Sequence, residues 1–239
     1  GVADPDEANY GNQFRLYTPR LLKAAYNYQF AKKDPGGYAH NGKYMIQLLY
    51  DSIMSIQGAS PNPISIPNLV RGDEGHFDGS QEAWRHWDED GSIRSSCAKC
   101  HTDSGLPYFI ENGKNVTGAL SNGMACTTCH SDVVKGTVHY QKEVAFPSGD
   151  KVSLGDNSNI CLNCHQGRAS KKAVDEKIAA SSGPYTFTNI HYFPSAAVMF
   201  GSEVKGGYEY PGKTYAKRKP FDNHGGVFDT CVECHMGIK

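Results

Sequence analysis

Long hydrophobic runs are absent from this chain of 239 residues. No stretch of eighteen or more consecutive apolar residues occurs, so the sequence predicts no transmembrane helix. Hydrophobic residues make up 38% of the chain, while glycine and proline are frequent, with 26 and 12 residues. The chain therefore has little apolar material from which to build a core by itself.

An excess of charge of one sign is also absent. The 24 basic and 25 acidic residues give a formal net charge of -1 with neutral histidines. The basic excess that is typical of proteins bound to nucleic acid or anionic membranes is therefore missing. We expect no nucleic-acid partner and no general attraction of the polypeptide to an anionic membrane surface.

Cysteine occurs in one arrangement only. All eight cysteines form Cys-x-x-Cys pairs, and a histidine follows each pair directly. The four motifs consist of Cys97, Cys100 and His101; Cys126, Cys129 and His130; Cys161, Cys164 and His165; and Cys231, Cys234 and His235. This is the attachment motif of c-type haem, in which the two thiols bond to one porphyrin and the histidine becomes the proximal ligand of its iron.

Zinc binding and disulfide bonds are the two alternative uses of such cysteines. Zinc sites also contain Cys-x-x-Cys pairs, but they do not require a histidine directly after each pair. Disulfide frameworks spread their cysteines to close long loops, whereas these cysteines are paired locally. The sequence therefore predicts four covalently attached haem c groups, with His101, His130, His165 and His235 bound to iron.

The low apolar content and the four motifs together predict the fold class. One large apolar porphyrin for about every 60 residues lets short helices and loops wrap around cofactors instead of around one another. We expect a multihaem cytochrome c fold that is loop-rich, with mainly short α-helices, little β structure and a core formed largely by four covalently bound haems. Long loops within residues 166–230 are expected to wrap the haem edges.

The attachment motifs divide the chain unevenly. Residues 1–70 contain none of them, and we expect a haem-free N-terminal helical segment there that forms the subunit-contact region. Residues 71–239 contain all four motifs and form the four-haem region, which is not expected to be an independent domain. The division is therefore one of function within a single chain.

Two helices are predicted in the haem-free segment. Thr18 and Pro19 suit the N-cap and the first position of a helix that continues to Ala31. A second helix is predicted from Asn41 to Gln57, where Gly58 ends it. The apolar residues at helical spacing on this second helix are Met45, Leu49, Ile53 and Ile56.

Three further elements are predicted around the third motif. Residues 143–153 contain turn residues at their centre and predict a β-hairpin. Asp156 or Ser158 is expected to cap the helix that carries Cys161, and Ser170 is expected to begin a polar helix that ends near Ala180. These elements place the third motif on a helix directly after a hairpin.

Six histidines outside the motifs could supply the second axial ligand of each iron. The four candidates that local context favours as distal ligands are His76, His86, His191 and His224. Ser80 is expected to begin a short helix that carries His86. His40 is the first reserve and could equally bind a haem of a neighbouring subunit, whereas His139 is the last because it lies in a strand-like run. Met124 and Met199 stay open as alternative ligands.

Several longer strings extend beyond the motifs, at residues 18–26, 40–52, 75–77, 83–91, 191–193, 200–210 and 229–236. Together they cover much of the chain and resemble the multihaem extracellular cytochromes, in particular the four-haem subunits of OmcE-type cytochrome nanowires. The resemblance implies two histidine ligands on every haem iron. It also implies that one histidine crosses the subunit interface to a haem of the next protomer.

Location and partners follow from the same resemblance. Covalent haem attachment takes place after export, so we expect an exported chain whose signal peptide has been removed. The expected location is extracellular or at the cell surface, with the periplasm as the alternative. The expected partners are identical subunits in a head-to-tail polymer, redox-protein donors and extracellular acceptors.

The expected function is electron transfer, because two histidines on each iron leave no position open for a substrate. We expect a filament that conducts respiratory electrons by hopping from haem to haem. A monomeric periplasmic tetrahaem carrier is the alternative function. The protein is not expected to be an enzyme, since a haem-dependent reductase would need one iron with an open distal face.

Overall fold

The structure is a computed structural model that describes residues 13–65, 71, 92–119, 124–191, 193–219 and 229–236. The helices are α1 (Pro19–Lys33), α2 (Gly37–Gln57), α3 (Ser95–His101), α4 (Gly105–Asn112), α5 (Cys126–Cys129), α6 (Asn159–His165), α7 (Lys171–Ala180), α8 (Ser195–Phe200) and α9 (Cys231–His235). The strands are β1 (Ser92–Ile93), β2 (Gly118–Ala119), β3 (His130–Asp132), β4 (Thr137–Val138), β5 (Val144–Ala145) and β6 (Lys151–Val152).

The described residues are rich in short helices and loops. The strands pair as three separate two-stranded antiparallel sheets, β1 with β2, β3 with β4, and β5 with β6. The prediction of mainly short helices with little β structure is therefore confirmed for this part of the chain. None of the described helices combines the length and the apolar character that crossing a bilayer requires.

The chain divides into two compact units. Unit 1 consists of Gly1–Gly79 and Gly167–Arg218, and unit 2 consists of Ser80–Gln166 and Lys219–Lys239. All four attachment motifs fall within unit 2. This division differs from a boundary at residue 70, because residues 167–218 join the haem-free N-terminal part of the chain.

Unit 1 builds a conventional packed core. Helix α1 packs against α2 and α7, and α2 also packs against α8. Residues 201–218 close this core, where the Tyr26 hydroxyl donates to the Gly206 carbonyl at 2.8 Å. A Cβ atom at Gly207 would lie 2.1 Å from a terminal methyl carbon of Leu48, so a larger residue here would have to displace that buried side chain. Residues 201–218 thus pack against α1 and α2, and the expected contact of residues 166–230 with haem edges stays a prediction.

Helix α1 begins as predicted. The Thr18 hydroxyl accepts a hydrogen bond from the Leu21 N–H at 3.3 Å, and Pro19 occupies the first helical position. The helix continues two residues beyond the predicted end at Ala31 and ends at Lys33. Its start is predictable because an N-cap depends on residues that are adjacent in sequence.

Helix α2 agrees with the prediction in its regular part. Asn41 has φ -169° and ψ 73°, so it interrupts the helix four residues after Gly37. The Asn41 side-chain oxygen accepts from the Tyr44 N–H at 3.1 Å and caps the part that follows. The helix ends at Gln57, and the Gly58 N–H donates to the Met54 carbonyl.

The predicted apolar stripe of α2 is wrong in part. Met45 is fully buried, but Ile53 and Ile56 are 38% and 41% exposed. The buried residues of the helix include the polar side chains Gln47, Asp51 and Ser52 as well as Tyr44, Met45 and Leu48. Their polar groups find partners in distant parts of unit 1, as when the Ala216 N–H donates to Gln47 at 2.7 Å.

The hairpin predicted in residues 143–153 is confirmed as β5 and β6. Val144 pairs with Val152, and Gly149 takes a φ of 97° in the turn. The buried Asn159 amide at the start of α6 donates to the carbonyl of Gln141 at 2.9 Å and thereby holds the hairpin against this helix. The prediction of a helix after Ser158 is also confirmed.

Helix α7 also has its predicted bounds. It begins after Ser170 and ends at Ala180. Ser170 itself takes an extended backbone conformation at the N-cap position, as is usual there. The helix predicted to begin at Ser80 lies outside the described residues.

Candidate haem-binding sites

Every attachment motif lies on a short helix or at its end. Helices α3, α6 and α9 contain both cysteines and the histidine of their motifs. Helix α5 contains Cys126 and Cys129, and His130 follows as the first residue of β3. Residues at positions i, i+3 and i+4 share one face of a helix. In α3, α6 and α9 the helical conformation therefore brings two thiols and one imidazole to the same side, as attachment of a single porphyrin requires.

Local hydrogen bonds hold the first motif helix in place. The Thr102 hydroxyl donates to the Ala98 carbonyl at 2.7 Å and accepts from the Gly105 N–H at 2.9 Å. A Cβ atom at Gly105 would lie 2.0 Å from the Ala98 carbonyl oxygen. Glycine at this position therefore lets α4 start directly against the helix of the first motif.

The fourth motif helix has an acidic N-terminal cap. The Glu233 carboxylate accepts hydrogen bonds from the backbone N–H groups of Asp229 and Thr230, both at 2.9 Å. These bonds lower the pKa of Glu233, and the bond from Asp229 has the larger effect. The carboxylate satisfies N–H groups ahead of α9 and places a negative charge near its N-terminus, which stabilises a helix start.

The cysteines are chemically available for attachment. All eight are among the described residues, none forms a disulfide bond, and each is half-buried or exposed. Such pairs with an adjacent imidazole are the donor set of c-type haem rather than a disulfide framework. The residues that would hold the groups are the eight cysteines, with His101, His130, His165 and His235 as proximal ligands.

The apolar core of unit 2 is thin. Of the described residues, twenty buried apolar side chains belong to unit 1 and seven to unit 2. The seven in unit 2 are Ile93, Ala98, Leu106, Val144, Phe146, Ile160 and Leu162. Exposed apolar side chains in the same unit include Val134 at 97% and Tyr140 at 81%. A unit of this kind fits large apolar cofactors, because they would cover surface that the chain leaves exposed.

Thiols of different motifs contact one another. The interaction between the Cys161 and Cys231 thiols lowers the pKa of Cys161 and raises the pKa of Cys231. A hydrogen bond to Cys100 raises the pKa of Cys164. Burial, and then the charge of Cys161, raises the pKa of Cys129. The cysteines of the third motif therefore lie close to cysteines of the other three motifs.

His130 and His139 both lie at the second motif. Among the described residues, no group forms a hydrogen bond with the buried Nδ1 of His130. The His139 N–H donates to the Cys129 carbonyl at 3.0 Å, and its Nε2 lies 3.1 Å from the Thr127 carbonyl oxygen. A cleft of about 290 Å³ separates His139 from the first turn of α6. The structure thus places the last-ranked distal candidate beside two motif helices.

Two other distal candidates are described, and both belong to unit 1. His191 has a φ of 80°, and its N–H donates to the Asn189 side chain at 2.7 Å. His40 Nδ1 lies 2.7 Å from a carboxylate oxygen of Asp34, which is 2% exposed. The candidates His76, His86 and His224 lie outside the described residues.

Asp34 is a residue that sequence patterns do not single out. It precedes His40 by six residues, and a Pro-Gly-Gly turn separates the two. A carboxylate that holds Nδ1–H leaves the lone pair of a neutral imidazole on Nε2, and metal-bound histidines commonly have such a partner. The contact between Asp34 and His40 depends on the fold of the turn between them, so the sequence alone does not predict it.

The motif helices, the paired cysteines with their adjacent histidines and the thin core of unit 2 together are features of a multihaem c-type cytochrome. The comparisons with known proteins support this class. The chain is 29% identical over 197 residues to the C-type polyheme cytochrome OmcB of Geobacter sulfurreducens strains DL-1 / KN400 and ATCC 51573 / DSM 12127 / PCA. This match covers 64% of the chain and 26% of OmcB.

A second relative is the C-type polyheme cytochrome OmcC of Geobacter sulfurreducens strain ATCC 51573 / DSM 12127 / PCA. The identity is 27% over 282 residues, covering 98% of the chain and 35% of OmcC. The chain thus spans about a quarter to a third of the length of these curated relatives. No family model and no solved structure matches the chain.

The similarity supports a multihaem c-type cytochrome that carries covalently bound haem c. The number of haems and the identity of every axial ligand stay predictions from the sequence.

Proposed function

We propose that the protein transfers electrons through four covalently attached haems and that copies of the chain join head to tail into an extracellular filament. The observation that carries the electron-transfer role is that unit 2 contains four Cys-x-x-Cys-His motifs, each on or beside a short helix. When bound, haem iron supplies reversible one-electron oxidation and reduction. The chain attaches the groups, supplies their axial ligands and limits the access of water.

The distal ligands are imidazoles in this proposal. His40 serves a haem of the next copy, and three of the candidates His76, His86, His191 and His224 serve haems of their own chain. Asp34 supports the role of His40, because a buried carboxylate at 2.7 Å from Nδ1 fixes the ring and directs the lone pair to Nε2. With an imidazole on both faces of each iron, the protein has no open site for substrate reduction.

The charge of the two units supports a head-to-tail assembly. Unit 1 contains 15 basic and 12 acidic residues, whereas unit 2 contains 9 basic and 13 acidic residues. Eight haem propionates would make unit 2 still more negative. Attraction between unlike surfaces of successive copies gives a heterologous contact, which extends into a filament when the rotation between copies does not close a ring.

Electron cryomicroscopy of the purified holoprotein tests the filament. We expect ordered filaments of wild-type protein, and His40→Ala should give single particles in which one haem per chain becomes high-spin and binds carbon monoxide when reduced. The matched control is His139→Ala, which should leave the filaments intact. Filaments of His40→Ala with every haem low-spin would contradict the role of His40.

Two other results would change the assignment. Single particles of wild-type protein at high concentration would favour the monomeric periplasmic carrier. Binding of carbon monoxide by the reduced wild-type protein would favour a haem-dependent reductase instead, because it requires an iron with an open face.

A further inference from the structure

Helix α6, which carries the third motif, contacts the helix of the first motif. Helices α3 and α6 pack against each other. The thiols of Cys100 and Cys164 lie close together at this contact. These are the second cysteines of their motifs, so the same attachment position of two porphyrins meets there.

Helix α6 also contacts the helix of the fourth motif. The Val232 N–H in the first turn of α9 donates to the Ser158 hydroxyl at 3.0 Å, and Ser158 is fully buried. The thiols of Cys161 and Cys231 lie close together beside it. These are the first cysteines of their motifs, so this contact uses the other attachment position of the third motif.

The second motif, whose Cys129 also lies near the thiols of the third motif, contacts a further part of unit 2. The Thr128 hydroxyl in α5 donates to the Asp103 carbonyl at 2.8 Å, and α5 packs against α4. The hydrogen bond and the packing tie α5 to the segment that follows the first motif. The motif order in space therefore differs from the order along the chain.

We infer that the third haem is the central member of the array, adjacent to the first haem through Cys100 and Cys164 and to the fourth haem through Cys161 and Cys231. This inference rests on the proposed electron-transfer function. A thioether bond keeps the porphyrin edge within two covalent bonds of each sulfur, so sulfurs in contact bring porphyrin edges together. Electrons that pass between the first and the fourth haem therefore pass through the third, although the second motif precedes it in sequence.

Ligand replacement in the full-length holoprotein tests the inference without removing a haem. A methionine ligand raises the potential of a haem above that of its bis-histidine neighbours. In His165→Met the third haem should therefore accept the first electron and become diamagnetic, while the other three stay ferric. His130→Met, the matched control, should do the same to the second haem.

Electron paramagnetic resonance during reductive titration gives the readout. After the first electron, His165→Met should lose the spin–spin broadening of the signals of the first and fourth haems, whereas His130→Met should keep it. Equal loss in the two variants, or loss in His130→Met alone, would overturn the central position of the third haem.

Mass and a second set of variants separate the possible failures. The intact mass of wild-type protein should show four haems, and a mass without covalent haem would overturn the proposed function itself. If His165→Met does not fold, the double variant Cys161→Ala with Cys164→Ala serves in its place, with Cys126→Ala and Cys129→Ala as its control. The variant without Cys161 and Cys164 should lose the spin–spin broadening of the first and fourth haems. Retention of this broadening would overturn the inference.

Discussion

Asn27 organises the core of unit 1 through backbone hydrogen bonds. It is fully buried, its amide donates to the Tyr208 carbonyl at 3.0 Å and to the Ser52 hydroxyl at 2.9 Å, and its oxygen accepts from the Tyr208 N–H at 2.6 Å. The residue thus ties α1 both to α2 and to the segment after α8. The Asn27 side chain thus bonds both backbone polar groups of Tyr208, as a neighbouring β-strand would do in a sheet.

Replacing Asn27 tests this role. Asn27→Ala leaves the backbone groups of Tyr208 buried without partners, so we expect the free energy of unfolding of unit 1 to fall by about 2–3 kcal/mol. Urea denaturation followed by tyrosine fluorescence measures the change. The control is Tyr28→Ala, because this neighbour is 62% exposed, and a fall of equal size in both variants would contradict the prediction.

Glu209 gives unit 1 a pH dependence of known sign. Burial raises the pKa of this carboxyl, and the Tyr44 hydroxyl, which donates to it at 3.2 Å, offsets part of the effect. A carboxyl whose pKa is raised on folding stabilises the folded state below its ordinary pKa. That stability is lost as the pH rises through the raised value.

Glu209→Gln removes this titration. We expect the variant to gain stability relative to wild type as the pH rises from 4 to 7, because glutamine has no charge to bury. The midpoint of urea unfolding at each pH measures the difference. Glu203→Gln replaces an exposed glutamate of the same segment and should show no comparable gain, and a constant difference between Glu209→Gln and wild type would refute the assignment.

Single residues differ in how far the sequence reveals their roles. The attachment cysteines and His101 are identifiable because the chemistry sets their spacing within five residues. The contact of Asp34 with His40, and that of Arg71 with the buried Asp51 at 3.0 Å, depend on how separate segments fold. No local spacing rule connects such pairs.

At the scale of elements, the junction of α3 and α4 depends on a residue without a side chain. Gly105→Ala would place a Cβ atom against the Ala98 carbonyl between the cysteines of the first motif. We expect a cost of about 1–3 kcal/mol from the displaced backbone. Hydrogen exchange of the α3 amides should become faster, and mass analysis should show less haem on the peptide that contains Cys97.

Gly42→Ala is the matched control for this prediction. A Cβ atom at Gly42 meets nothing within 4 Å, and the residue lies in α2. We expect it to stabilise the protein by about 0.5–1 kcal/mol, because alanine loses less backbone entropy in a helix than glycine. Unchanged exchange in α3 of Gly105→Ala would contradict the role of the close approach.

The helices and the hairpin that depend on capping and turn residues could be predicted from the sequence. The faces that these elements bury could not. The start of α1, the hairpin of β5 and β6 and the bounds of α7 follow from capping and turn residues that are neighbours in sequence. The buried face of α2 follows from partners more than 150 residues away, such as Tyr215, whose hydroxyl donates to Asp51 at 2.5 Å. A prediction from hydrophobic periodicity misses polar residues of a helix that are buried because they bond to such distant partners.

At the scale of the whole molecule, the two units should respond differently to the loss of haem. We expect a chain produced without haem attachment to keep slow hydrogen exchange in α1 and α2 and to lose it in α3, α5, α6 and α9. The reason is that unit 1 buries twenty apolar side chains among its described residues, whereas unit 2 buries seven. Exchange measured by mass spectrometry compares the two forms, and equal protection of both units without haem would contradict the prediction.

The sequence by itself predicted the class of cofactor and the residues that would attach it, because thioether formation and proximal ligation require Cys-x-x-Cys-His within one helical turn. It also determined the short helices and the hairpin through their caps and turns. Only the tertiary structure decided that residues 167–218 belong with the N-terminal helices and that helix α6 contacts the helices of two other motifs. Such contacts join residues far apart in the chain, so packing and not local spacing selects them.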